Sequence, residues 1–174
     1  MKLTSAYSTF VNGGELVEPI LIDRVQDSEG NTIVNNEKRS CVNCKEISYL
    51  SNNYPEIKNN YKKVFSPQTA YQITSILEGV VQRGTGKKLR KLRLNLAGKT
   101  GTTNENTDAW FIGFTSNLVI GVYVGFDNPK TLGKYETGSK AALPIFKDFI
   151  KNALYKEDFK EFKIPEGIYL TSLN

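Results

Sequence analysis

Three β-rich stretches that follow one another closely constrain the fold of this 174-residue chain more than any other feature. They run from Leu96 to Thr103, from Ala109 to Phe114 and from Leu118 to Phe126, and the turns between them are short and contain Asn, Asp and Ser. Turns of this length join antiparallel neighbours, because parallel neighbours need a crossover of about a dozen residues. The sequence therefore predicts a three-stranded antiparallel meander.

Helical spacing of apolar residues flanks the meander on both sides. A first helix ends at Asn12-Gly13-Gly14, where glycine can adopt the left-handed conformation that stops a helix. A second begins at Ser66-Pro67, an N-cap followed by proline at the first helical position, and its predicted buried face is Ala70, Ile73, Ile76, Leu77, Val80 and Val81. A third runs from about Ala141 to Leu154, with Ile145, Phe146, Phe149 and Ile150 predicted inward. The chain is therefore expected to be α+β, with an antiparallel sheet flanked by helices.

The stretch between the first two helices has weaker patterning. Two β-rich runs, Val17 to Val25 and Thr32 to Val34, flank turn residues and predict a hairpin. Positions 35–64 have no sustained period, which predicts a long loop or a variable insertion. This loop holds Cys41 and Cys44, which cannot make a four-ligand zinc site in a chain with 2 Cys and no His. We expect no catalytic role for them, and a short disulfide where the compartment is oxidising.

The absence of histidine restricts the chemistry further. Histidine is the usual general base and the hinge of the serine triad, so a nucleophile here would need a lysine or a carboxylate to activate it. We expect no metal and no other cofactor. No run of about eighteen apolar residues is present and the first residues lack a signal-peptide pattern, so we expect neither a membrane span nor an export signal in these residues.

The residues with the clearest chemical signal are Lys99-Thr100-Gly101-Thr102, on the first strand of the meander. Thr100 and Thr102 alternate to one face of the strand, and the glycine leaves the backbone open to a ligand. This arrangement suits an extended peptide lying antiparallel to the strand edge, with hydroxyls and an ammonium near its carboxylate.

Two other interpretations, a phosphate-binding loop and a nucleic-acid-binding surface, fit the sequence less well. Gly98-Lys99-Thr100 matches the end of a phosphate-binding loop, but the first glycine of that motif would fall at Arg93. The cationic run from Lys87 to Arg93 contributes to a net charge of +5, yet it lacks the interleaved aromatics that nucleic-acid stacking would use. We interpret the run as a solvated connection, with weak attraction to acidic wall polymer as the alternative.

Further motifs surround the Lys-Thr-Gly strand: Arg83-Gly84-Thr85-Gly86, Asp108-Ala109-Trp110-Phe111-Ile112-Gly113 and Gly121-Val122-Tyr123-Val124-Gly125-Phe126-Asp127. Together with the helix signals they closely resemble the C-terminal part of the transpeptidase domain of class A (bifunctional) penicillin-binding proteins. The resemblance covers nearly the whole chain except the loop at 35–64. It implies a partial penicillin-binding and β-lactamase-like transpeptidase fold, with residues 1–174 as one portion of that domain.

The resemblance also implies roles for individual residues. The catalytic pair would be Lys99, whose fixed positive charge supports proton transfer, and Thr102, whose backbone N–H supplies half of the oxyanion hole. The terminal carboxylate of a D-Ala-D-Ala stem peptide or of penicillin would be bound by Thr100 and Thr102, within a binding set of Lys99, Thr100, Gly101, Thr102, Thr103 and Trp110. For Trp110 a place in the core is the alternative, and Asp108 is expected to organise the turn before its strand.

The family's nucleophile lies in a Ser-x-x-Lys motif, and no serine in this sequence has lysine three positions on. Ser51-Asn52-Asn53 matches the family's Ser-x-Asn in letters, but it follows the Asn12-Gly13-Gly14 helix instead of preceding it. We therefore predict a portion of a serine D,D-transpeptidase that crosslinks peptidoglycan and is inactive alone. The alternative is a non-catalytic module that binds peptidoglycan or a partner protein.

The resemblance implies surroundings as well. The longer protein would be anchored in the cytoplasmic membrane with this domain on the periplasmic side, and its partners would be stem peptides and β-lactams, without nucleic acid. Carboxypeptidase and β-lactamase chemistry share the same strand, so the acceptor stays open. If strands outside this sequence normally cover the third strand and the last helix, the chain should expose a sheet edge and an apolar helix face and dimerise.

Overall fold

The computed structural model describes residues 1–42, 44, 55–154 and 160–171, and it separates the chain into two compact units. The larger unit comprises Met1–Val17 and Lys63–Asn174, and the smaller one is Glu18–Lys62. In chain order the elements are α1 (Lys2–Val11), β1 (Glu15–Leu16), β2 (Arg24–Gln26), β3 (Thr32–Asn35), β4 (Ser40–Val42), β5 (Glu56–Lys58), β6 (Lys62–Lys63), α2 (Pro67–Gln82), β7 (Ala97–Thr102), β8 (Asp108–Phe114), β9 (Val119–Gly125) and α3 (Ala142–Ala153), with short 3-10 helices at Lys87–Leu92 and Asn104–Asn106. Among the described helices, none has the length and apolar character needed to cross a membrane.

The predicted meander is confirmed. Strands β7, β8 and β9 form an antiparallel sheet in that order, with Thr100 opposite Phe111 and Phe111 opposite Val122. Because the short turns leave no room for a crossover, each strand pairs with the one before it. The α+β fold expected from the sequence is therefore the observed one.

Both faces of this sheet are covered. On one face α3 packs against β8, and the rings of Phe111 and Phe146 lie 4.9 Å apart. On the other face Leu77 of α2 packs with Ala97 and Phe114. The partly buried side chains that complete this second cluster include Tyr7 and Phe10 of α1. The sheet is thus the central layer, and its strand β7 lies beside α2.

In two helices the buried face is narrower than predicted. In α2 the buried residues are Ala70, Thr74, Leu77, Gly79 and Val81, whereas Ile76 is 68% exposed. In α3 Phe146 and Ile150 are buried as predicted, but Ile145 is 52% and Phe149 46% exposed. Each misplaced residue precedes a buried one, which puts it about 100° away around the axis. A window with many apolar residues therefore predicts a helix without specifying which part faces the core.

Ser66 caps α2 as predicted, because its hydroxyl accepts a hydrogen bond from the backbone N–H of Thr69 at 3.1 Å. Replacing Ser66 by alanine removes that acceptor and is expected to lower the free energy of unfolding by about 1 kcal/mol. The measurement is urea denaturation followed by circular dichroism. Ser75→Ala, at an exposed position inside the same helix, is the control and should change stability little or raise it slightly. Equal losses in both variants would contradict a capping role.

The smaller unit consists of short antiparallel pairs. The predicted hairpin is present as β2 and β3, but its first strand is Arg24–Gln26 and not the whole of 17–25. All residues of this hairpin are exposed, so no buried face extends the pairing. The segment expected to be a loop contains β4 and β5, which pair with each other. A disulfide joins Cys41 to Cys44 in the same segment, and Ser51-Asn52-Asn53 lies outside the described residues.

Candidate functional site

The Lys-Thr-Gly strand β7 is the outermost strand of its sheet, so one of its edges has no strand partner within the described residues. The backbone N–H of Thr103 donates to Asp108 O at 3.1 Å, so the main-chain groups of Thr103 face β8 and those of Thr102 and Thr100 face the open edge. Lys99 Nζ donates to the backbone oxygen of Thr100 at 2.8 Å. Main-chain groups two residues apart in a strand point the same way. The backbone N–H and C=O of Thr102 therefore share this edge with Thr100.

The side chains of β7 divide between the two faces of the sheet. Thr100 and Thr102 lie opposite Phe111 and Ala109, on the face covered by α3. Gly101 lies opposite Trp110, so Lys99 and Gly101 belong to the other face. The predicted alternation of the two threonines is thus observed, and the Lys99 side chain returns to the edge through its bond to Thr100.

Thr85 holds the first of these hydroxyls. Its Oγ1 lies 2.9 Å from Thr100 Oγ1. A tight turn after α2 brings Thr85 to this position, because the N–H groups of Gly84 and Gly86 both donate to Val80 O, at 3.1 and 3.0 Å. A Cβ on Gly84 would lie 2.9 Å from Val80 Cα, so the turn needs glycine there. The motif Arg83-Gly84-Thr85-Gly86 thus carries a side chain to the strand edge.

The second hydroxyl, that of Thr102, is held by Gly138, which lies in the segment before α3. Its backbone N–H donates to Thr102 Oγ1 at 3.1 Å. The glycine is buried against the ladder between β7 and β8, since a Cβ there would lie 2.3 Å from Trp110 O and 2.5 Å from Gly101 O. The Gly138 carbonyl in turn accepts from Leu143 N at 2.9 Å, which ties this contact to the start of α3. The Thr102 hydroxyl is therefore oriented by the backbone N–H of Gly138, which can come this close only because Gly138 has no side chain.

Gly138→Ala tests this close approach. The added methyl would clash with two backbone oxygens, so the segment must move away from β7 at a cost of about 1–3 kcal/mol. We expect that loss of stability in urea denaturation. Gly133→Ala in the preceding turn is the comparison. The nearest atom to its new Cβ is a flexible Glu136 carbon at 3.3 Å, so a loss of stability there reflects the positive φ of 129° and not a clash with the backbone. A Gly138→Ala protein as stable as the parent would refute the packing described here.

The far end of the strand is organised by Asp108. Its backbone N–H donates to Thr103 Oγ1 at 2.8 Å, and the Thr103 hydroxyl lies 3.2 Å from Asp108 Oδ2. The Tyr123 hydroxyl donates to Asp108 Oδ1 at 2.7 Å, and this hydrogen bond raises the pKa of Tyr123 because it favours the protonated phenol. Trp110 packs against the Tyr123 ring, with the rings tilted by 48° and their centroids 4.7 Å apart. The interpretation of Asp108 as a turn organiser agrees with these contacts.

The structure thus places the predicted residues Lys99, Thr100, Gly101, Thr102 and Thr103 along one strand end, with Trp110 half-buried on the adjacent strand. Sequence reasoning did not assign roles to Thr85 and Gly138. The glycine-rich motif was a local signal for Thr85, whereas Gly138 is 36 residues from Thr102 and has no local signal. Among the described residues, no group of three or more His, Cys, Asp and Glu could hold a metal ion.

The arrangement of this sheet and strand has counterparts in one family. The family model described as "Penicillin binding protein transpeptidase domain" matches residues 1–151. The chain belongs to this transpeptidase-domain family of penicillin-binding proteins. Within it, the chain is 43% identical over 175 residues to penicillin-binding protein 1A of Rickettsia typhi and 36% identical over 169 residues to penicillin-binding protein 1A of Neisseria lactamica.

A solved structure supports membership of the same family. The crystal structure of penicillin-binding protein 1A from Haemophilus influenzae superposes with a TM-score of 0.73 at 31% identity, covering 94% of this chain and 27% of that one. The transpeptidase domain from Eggerthella lenta, at 22% identity and a TM-score of 0.54, shares the fold. Coverage is 99% of this chain but 22% of the Rickettsia typhi protein, and 97% of this chain but 19% of the Neisseria lactamica protein. The chain therefore spans about a fifth of the length of these relatives.

Proposed function

We propose that this chain supplies the carboxylate-binding strand of a serine D,D-transpeptidase that crosslinks peptidoglycan stem peptides and is acylated by penicillin. The observation that carries the proposal is the open edge of β7, where Lys99 bonds the Thr100 carbonyl and beside which the hydroxyls of Thr100 and Thr102 are oriented by Thr85 and Gly138. Family membership and the similarity to penicillin-binding protein 1A support it.

The proposed roles follow from what each group can donate. The Lys99 ammonium and the hydroxyls of Thr100 and Thr102 offer hydrogen-bond donors for the terminal carboxylate of D-Ala-D-Ala or for the carboxylate of penicillin. The Thr102 N–H at the open edge would donate to the oxyanion of the tetrahedral intermediate. Gly101 leaves the strand flat enough for an extended peptide to lie alongside. Thr103 and Trp110 would complete the binding set beside this strand.

The nucleophile is proposed to lie in a longer polypeptide, in which a membrane anchor holds the domain on the periplasmic side. The 174 residues contain no Ser-x-x-Lys, and the relatives extend well beyond the matched part. A Ser-x-x-Lys serine would attack the D-Ala-D-Ala carbonyl, release the terminal D-Ala and pass the acyl group to an amine of a second stem peptide. On this proposal the chain alone binds carboxylates and does not turn them over.

Labelling with a fluorescent penicillin tests the proposal. The chain is compared with a polypeptide extended upstream through a Ser-x-x-Lys motif, followed by denaturing electrophoresis to detect covalent adducts. We expect label on the extended protein only. Label on the short chain would mean that its nucleophile has been misassigned. Label on neither would contradict the transpeptidase proposal and favour a non-catalytic module that binds peptidoglycan or a partner.

Self-association of the isolated chain is a further prediction. Strand β9 ends the described sheet, and α3 exposes Ile145 and Phe149, so an open edge and apolar side chains lie on the same unit. Such surfaces favour pairing between copies. Light scattering should show a dimer at high concentration, and Ile145→Lys with Phe149→Lys should reduce it. A monomer at all concentrations would sink this prediction.

A further inference from the structure

Positive charge is concentrated on one surface at the end of α2 and along the 3-10 helix Lys87–Leu92. The exposed cations of this basic surface are Arg83, Lys87, Lys88, Arg90, Lys91 and Arg93. Sequence positions 79–104 contain neither Asp nor Glu. In the described part of the chain the ion pairs join Lys38 to Glu18, Arg39 to Glu37 and Lys58 to Glu56, so none of them neutralises this surface.

The 3-10 geometry sorts the charges into rows. A 3-10 helix has three residues per turn, so side chains three apart lie one above the other, about 6 Å apart along the axis. Leu89 and Leu92 form one row that packs into the core, with Leu89 only 1% exposed. The remaining rows are cationic: Lys87 with Arg90, and Lys88 with Lys91. The buried leucines thus fix the helix with two parallel lines of positive charge at the surface. In one of these lines the Lys88 ammonium also donates to Ser139 O at 3.2 Å.

Two depressions lie along these rows. One, of about 730 Å³, is lined by Gln82 and the cationic side chains of residues 83–93. The other, of about 190 Å³, is lined by Lys88, Lys91 and Lys147 together with Leu143 and Pro144. The two share Lys88 and Lys91, so an anionic chain could follow them continuously and place a small apolar side chain in the second.

We propose that the basic surface binds an extended acidic segment of another protein, with carboxylates at alternate residues. Residues two apart on an extended strand lie about 6.6–6.8 Å apart on the same side, close to the row spacing of about 6 Å. Carboxylates at this spacing would meet Lys87 and Arg90, or Lys88 and Lys91, in register. The depression with Leu143 and Pro144 accepts an uncharged residue of the same segment. This inference does not depend on the proposed transpeptidase role.

Other anionic partners fit the surface less well. An anionic membrane is recognised best when apolar side chains enter the lipid beside the basic ones, but the leucines of this helix face the core. Single-stranded nucleic acid needs exposed aromatic side chains for its bases, and residues 79–104 contain no Phe, Tyr or Trp.

The experiment measures fluorescence anisotropy of a labelled peptide on the 174-residue chain. The probe alternates glutamate with serine over about twelve residues and has one central leucine in place of a glutamate, so that the leucine lies on the same side as the carboxylates. We expect Lys87→Gln, Arg90→Gln and Lys91→Gln combined to weaken binding about tenfold or more, with a loss of salt dependence between about 50 and 200 mM. A control removes the same charge elsewhere, at the exposed Lys2, Lys62 and Lys151, and should change binding less than about twofold.

Three comparisons decide the outcome. A peptide of the same composition with contiguous glutamates should bind at least about threefold more weakly, because its carboxylates no longer match the rows. Equal binding of the two peptides, or equal loss in the two triple variants, would overturn the proposal. Tighter binding of an oligothymidylate with the same charge, or of vesicles containing phosphatidylglycerol, would overturn it in favour of nucleic acid or lipid. Near-ultraviolet circular dichroism confirms that each variant is folded.

Discussion

Replacing Lys99 by glutamine is expected to slow acylation by fluorescent penicillin about 10²–10³-fold in a polypeptide that includes an upstream Ser-x-x-Lys motif. Glutamine is slightly shorter than lysine and keeps hydrogen-bonding capacity, but it removes the positive charge from the open edge of β7. That charge is proposed to attract the substrate carboxylate and to support proton transfer around the nucleophile. The measurement is the second-order acylation rate from time courses of labelling.

Lys91→Gln is the matched control for the Lys99 experiment. Lys91 is an exposed cation of the same unit, but it lies on the 3-10 helix and not on β7. The substitution changes the net charge equally, so it should alter the acylation rate less than about threefold. A Lys99→Gln protein that acylates at the parent rate would remove Lys99 from the proposed site. An equal fall in both variants would show long-range attraction and no specific role.

Phe146→Ala should lower the free energy of unfolding by about 3–5 kcal/mol. The side chain is 0% exposed, and its ring lies edge-on to Phe111 with centroids 4.9 Å apart. Its ring atoms also come within 2.5 Å of the position that a Cβ on Gly113 would take, so they fill the space above that glycine. Truncation leaves a cavity between α3 and the sheet that the backbone cannot readily close.

Phe149→Ala on the same helix is the comparison for this prediction. Phe149 is 46% exposed, so its truncation should cost about 1 kcal/mol or less. Urea denaturation of the two variants, followed by circular dichroism, measures the difference. Similar losses at the two positions would mean that Phe149 is buried, as the apolar pattern predicted, and not exposed as observed.

The sequence predicted the central elements of the larger unit closely. Strands β7, β8 and β9 begin and end within two residues of the predicted stretches, and α2 starts at Pro67 after its Ser66 cap. Local rules carry this information, because turn length decides antiparallel pairing and a cap decides where a helix begins. The position of Lys99-Thr100-Gly101-Thr102 on a strand followed from the same rules.

Contacts between distant segments were decided only by the tertiary structure. Ile76, Ile145 and Phe149 carry the right polarity for a core, but the packing of α2 and α3 on the sheet turns them outward. The orientation of the two site hydroxyls depends on Thr85, 15 residues from Thr100, and on Gly138, 36 residues from Thr102.

By itself, then, the sequence determined the order of the elements, the antiparallel sheet and the strand that carries the candidate site. Only the tertiary structure decided which residues of each helix are buried and which groups hold Thr100 and Thr102. The physical reason is that periodicity, caps and turns act over a few neighbouring residues. Helix rotation and side-chain orientation instead depend on how closely surfaces from distant segments fit together.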